Sequence, residues 1–115
     1  MENALLNVIK KYEIESVIEL ADVLGVLVRY DRMPDEIGGL YYIDESEDAI
    51  IIVINRDINE HKQLFVCAYL LAHHALNEGM YFCFLDENSS HFNYYILALK
   101  LLRATIGKIT QTGEA

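Results

Sequence analysis

Gln63-Leu-Phe-Val-Cys-Ala-Tyr69-Leu70-Leu71-Ala72-His73-His74-Ala-Leu-Asn77 is the stretch whose reading decides the fold. Fifteen residues with no charged side chain and no break predict one helix, apolar on most of its surface and therefore buried. Polar groups on such a helix are either hydrogen-bonded core residues or parts of a site. Asn59 is placed to cap the helix and Glu60 to meet its positive end. Asn77-Glu78-Gly79 supplies the stop.

Outward from the helix, Leu40-Tyr-Tyr-Ile43, the acidic turn Asp44–Asp48 and Ala49–Asn55 predict a β-hairpin. Its second strand is apolar on both faces and so belongs at the centre of a sheet or under a helix. Val26–Tyr30 predicts a strand beside it, giving about three strands in all. The polar connection Asp31–Glu36 holds the only proline, Pro34, and Gly38-Gly39 closes it. Tyr41 and Tyr42 alternate faces, which places one of them at the surface. Met80–Leu85 is either a further strand or a packed loop.

Toward the N-terminus, residues 3–12 and Glu15–Leu24 carry helical apolar spacing, as two helices or one bent helix. Ser16 with Glu19 matches a capping box, and Gly25 is the stop. At the other end, Ser90 is placed to cap a helix from His91 to about Arg103. Tyr95, Ala98, Leu99 and Leu102 form its expected inner face, and 110–115 are read as a frayed tail. The expected fold class is α+β, one domain over residues 1–115. A small sheet packs against the central helix and the terminal helices.

Composition narrows the function classes. With 53% hydrophobic and 23% charged residues, the chain has the makings of a core, which argues against disorder. No apolar run is long enough for a membrane span and the first residues lack signal-peptide order, so a cytoplasmic protein is expected. Cys67 and Cys83 fit that setting as free thiols. The net charge is −9, concentrated in residues 31–60, where nine acids face two bases. Such a surface repels phosphate backbones, so direct nucleic-acid binding is not expected. It is either a solvated face or a docking patch for a basic partner.

Four segments together resemble the ImmA/IrrE family. These are Gly39-Leu-Tyr-Tyr42, Ile50-Ile-Ile-Val-Ile-Asn55, Gln63-Leu-Phe-Val-Cys-Ala68 and Leu97-Ala-Leu-Lys-Leu-Leu102, and their order extends the likeness over roughly residues 10 to 104. The resemblance implies a zincin-like metallopeptidase fold of bacteria, prophages and mobile elements. In the family, His-Glu-x-x-His on the helix provides two zinc ligands one turn apart and a general base. Here those positions read Tyr69-Leu70-Leu71-Ala72-His73. Tyrosine replaces the first ligand and leucine the base, while His73 keeps the second ligand. The third ligand position, seven residues before Ala98, falls on His91.

Three readings follow. The first is a pseudo-peptidase whose relic site is Tyr69, Leu70, His73 and His91. It has no catalytic residue and no cofactor, and it acts by binding a protein partner. The resemblance suggests a helix-turn-helix regulator, which is basic and binds DNA, as that partner. The second is a metallopeptidase with a rearranged site, zinc being held by His73 and His91. The third is a self-associating structural protein. His73 and Tyr69 also read simply as hydrogen-bonded core residues, His61 as an exposed residue of the first turn, and His74 as facing about 100° away from His73.

Overall fold

The computed structural model describes residues 2–76, 80–85 and 92–114. The expected helix stop at 77–79, the 86–90 turn with its capping serine, and His91 lie outside the described residues. Helix α1 (Glu2–Lys11) buries Leu5 and Ile9, one turn apart. Glu13 then takes a positive φ of 52°, which no helix continues through, so the N-terminal segment is two helices and not one bent one. Helix α2 (Val17–Val23) starts at Ser16, whose hydroxyl accepts the Glu19 N–H at 3.1 Å. The Glu19 carboxylate in turn accepts the Glu15 N–H at 2.8 Å, so both halves of the expected cap are present, the second displaced by one residue. Gly25, at φ 77°, ends the turn in a conformation that glycine takes without a Cβ clash.

Strands β1 (Val26–Asp31), β2 (Ile37–Asp44), β3 (Ala49–Asn55) and β4 (Tyr81–Phe84) form one mixed sheet in the order β1-β3-β2-β4. The apolar strand β3 is internal, parallel to β1 and antiparallel to β2. Met80–Leu85, which the sequence allows as strand or packed loop, contributes β4, and its antiparallel pairing with β2 makes the sheet four-stranded. The fold is thus α+β, with a sheet one strand larger than the sequence suggested. Gly38 and Gly39 do not close a loop; they lie inside β2, which begins at Ile37.

Helix α3 (Glu60–Leu76) connects β3 to β4 and crosses the sheet over β2. Asn59 caps it, its side-chain oxygen accepting the Lys62 N–H at 2.9 Å. The helix lies so close to β2 that glycine is required at the crossing. A Cβ on Gly39 would stand 2.7 Å from the Val53 carbonyl oxygen, 2.7 Å from the Val66 side chain and 3.1 Å from that of Leu70. Helix α4 (Phe92–Glu114) packs along α3.

The buried stripe of α4 is Tyr94, Leu97, Ala98, Leu101 and Thr105. The expected face was rotated by about one residue, since Tyr95 and Leu99 are exposed. Residues 94–102 are apolar nearly all round, so periodicity alone does not choose the face. The helix also runs on to Glu114, where a stop near Arg103 and a frayed tail from Thr110 were expected. A single glycine, Gly107, costs a helix only about 1 kcal/mol and does not end it.

One core joins Leu5, Ile14, Val17 and Leu20 to the α3 residues Val66–Ala72 and to one face of the sheet. Substitution Gly39→Ala should lower stability by about 1–3 kcal/mol through forced displacement of α3 from β2. Urea denaturation reads this as a fall in midpoint at unchanged slope; an unchanged midpoint would refute the close crossing.

Candidate functional site

The turn of α3 from Tyr69 to His73 lies over β2 and β4, facing α4. Tyr69 and His73 share one helix face, being four residues apart. Both are buried, at 6% and 3% exposure. His73 stacks on Tyr81 of β4, ring centroids 4.7 Å apart and planes 18° from parallel. Tyr41 of β2 and Tyr94 of α4 meet the same imidazole edge-on, at 4.9 and 5.3 Å. Its Nδ1 is 3.1 Å from the Tyr94 hydroxyl.

Tyr69 belongs to the same cluster. Its hydroxyl is 3.3 Å from that of Tyr81, and its ring lies edge-on to Tyr94 at 5.7 Å. Tyr41 and Tyr81 are paired across β2 and β4, which is why both point at the helix. Tyr41 also shares a 2.8 Å hydrogen bond with His74 Nδ1. The two histidines do diverge round the helix, yet one tyrosine reaches both: its ring lies against His73 and its hydroxyl on His74.

Leu70 takes a different direction. It is fully buried and aimed at Gly39, inside the apolar contact between α3 and β2. A leucine there can neither accept nor donate a proton. Cys67, also fully buried, directs its thiol at the Val17 carbonyl, 3.7 Å away, and burial pushes its pKa up to about 12. It is a core residue and no thiolate. His61 is exposed on the first turn, as expected.

The structure therefore brings Tyr69 and His73 together and turns Leu70 away from them, while His91 lies outside the described residues. Tyr81, Tyr94 and Tyr41 were not found as partners from the sequence. Only the abundance of tyrosine, eight residues, hinted at such a cluster. The donors that are described do not fit a zincin zinc. Such a site needs three protein ligands, and here one imidazole, already bonded to Tyr94, stands beside a phenol whose ordinary pKa near 10 opposes ligation. Among the described residues no three His, Cys, Asp or Glu side chains converge. What the cluster offers is a hydrogen-bonded aromatic packing in which no buried polar side-chain atom of the described residues lacks a partner.

Comparison with known proteins adds two findings. Residues 21–102 match the model of the IrrE N-terminal-like domain. The chain is also similar to an uncharacterised immunity region protein of Bacillus phage phi105, at 31% identity over 86 residues. That alignment covers 75% of this chain and 53% of the phage protein, so the chain spans about half of that relative's length. No solved structure matches.

Burial, and secondarily the neighbouring His73, holds the His74 imidazole below its ordinary value of 6.5. Below that value the unfolded chain takes up a proton that folded His74 still refuses. This contribution to stability is thus whole above 6.5 and is lost as pH falls toward the lower folded value. Urea midpoints between pH 7 and 5 should fall less steeply in His74→Gln than in the wild type. Identical slopes would remove His74 from the account.

Proposed function

The chain belongs to the ImmA/IrrE family, and from that premise we propose that it is a catalytically inactive member that works by binding a protein partner. The observation that carries this reading is Leu70. At the position of the family's general base stands a leucine, fully buried in the contact with β2. Water activation needs a proton acceptor beside the metal, and this side chain has no such group and does not face the cluster. Tyr69 at the first ligand position supports the same reading, because its hydroxyl is bonded to Tyr81.

Partner binding is supported by what remains. The family's model matches residues 21–102, and the chain carries a net charge of −9. The phage relative's name places that protein in an immunity region. We take the same setting, a phage or mobile element, for this chain. The partner this favours is a helix-turn-helix transcriptional regulator, whose basic surface the acidic residues 31–60 would attract over distance. On this reading residues 1–115 act as one cytoplasmic domain, and Tyr69, Leu70, His73 and His91 are the relic of the site.

The test incubates the purified chain with zinc and either casein or a helix-turn-helix repressor from the same genome. No cleavage of either is expected, together with a salt-sensitive complex with the repressor by size-exclusion chromatography. Zinc-dependent cleavage abolished by a chelator would overturn the inactive reading, and a repressor that elutes separately at low salt would overturn this choice of partner.

A further inference from the structure

The two faces of the sheet differ. Along β1, β2 and β3 alternate residues such as Val26, Tyr41, Ile52 and Ile54 enter the helix-packed core. Leu27, Leu40, Tyr42, Ile51 and Val53 point to the other face and take no part in that core. In register they make two adjacent rows, Leu27–Ile51–Tyr42 and Arg29–Val53–Leu40. Leu27 is 47% exposed, and Ile51 is fully buried. Leu40, Tyr42 and Val53 are half-buried. Among the described residues no helix belongs to this side of the sheet.

Both ends of the apolar rows are acidic. The β2–β3 turn presents Asp44, Glu45, Glu47 and Asp48. Asp31, Asp35 and Glu36 lie at the opposite ends of β1 and β2. Arg29 also lies on this face; the Ser46 hydroxyl first, and Arg29 last among the causes, hold the Asp44 carboxyl below its ordinary value. Arg32, paired with Asp57 at 3.5 Å, and Arg56 lie at the Asp31 end, where the acids outnumber them.

We propose that this open face binds a basic amphipathic segment of a protein partner. The apolar stripe of the segment would lie on Leu27, Tyr42 and Leu40, and its Lys or Arg side chains would lie toward the two acidic ends. The inference rests on the partner-binding reading above and gives that partner a surface and a chemistry. A purely apolar partner leaves the carboxylates at both ends unmatched, and nucleic acid is repelled by them. A second copy of this chain is the other occupant to weigh. An isologous contact would bring the same acidic ends of two chains of charge −9 together, which opposes it.

The probe is a synthetic helical peptide of leucine and lysine, about 18 residues long, with leucine at i, i+3, i+4 and i+7. Two controls accompany it: a scramble of the same composition, and the same stripe with glutamate in place of lysine. Fluorescence anisotropy with the full chain should show binding of the first peptide only, weakening as salt is added. Leu27→Lys, at an exposed position, should weaken it about tenfold. Glu45→Gln with Glu47→Gln should weaken it and flatten the salt dependence. Leu99→Lys, on the exposed side of α4, should leave it unchanged.

Absence of binding, equal weakening by Leu99→Lys and Leu27→Lys, or a wild-type dimer in sedimentation that Leu27→Lys dissociates would each overturn the proposal. Cleavage of the bound peptide with zinc would end the inactive reading and leave the docking surface standing. Failure to bind, without cleavage, would do the reverse.

Discussion

The near contact of α3 with β2 at Gly39 is the constraint on which the other elements depend. With 2.7 Å between a would-be Cβ and the Val53 carbonyl, no side chain fits there. The gap is filled from the helix side, by Val66 and Leu70. That contact fixes the rotation of α3 about its axis, because Val66 and Leu70 are one turn apart on the face that meets β2. Tyr69 and His73 are then directed toward β4 and α4, and Cys67 toward α2. One backbone approach thereby decides which residues become core and which meet in the aromatic cluster.

The segments that carry the family likeness turn out to hold backbone in place. Asn55 ends β3 almost fully buried; its amide donates to the Ile37 carbonyl at 2.9 Å and its oxygen accepts the Asp57 N–H at 3.0 Å. It ties the loop before β2 to the start of the connection into α3. Gln63 donates to the carbonyls of Asn55 and Arg56 from the first turn of the helix. Gly39 permits the crossing. None of these roles requires a metal or a reaction, so the scaffold does not depend on the chemistry for which the family is built.

This division also explains which parts of the structure were legible in the sequence. The α3 helix, the hairpin and the central position of β3 follow from local patterning: an uncharged run, a turn of acids, a strand apolar on both faces. The caps at Ser16 and Asn59 follow from residues in contact along the chain. What was not legible depends on contacts between distant segments. Gly38 and Gly39 resemble a loop until α3 lies on them. Tyr94 and Tyr95 are equally apolar neighbours, and only the position of α3 selects Tyr94 for the interior. Within the site, the spacing of Tyr69, Leu70 and His73 was readable. Tyr81 and Tyr41 needed the β2–β4 pairing to bring them under the helix.

A buried zinc site is a concentration of charge in the core, offset by its ligands and the ion. Here the space around Tyr69 and His73 holds phenol and imidazole rings stacked and hydrogen-bonded to one another, and Leu70 lies in the apolar contact with β2. Buried polar groups that bond to one another in this way avoid the penalty of an unpaired donor or acceptor. The chain's charge lies instead at the surface, with nine of its eighteen acids in residues 31–60 around the ends of the sheet. Charge at that location acts at long range on whatever approaches, whereas buried packing acts on the chain's own stability.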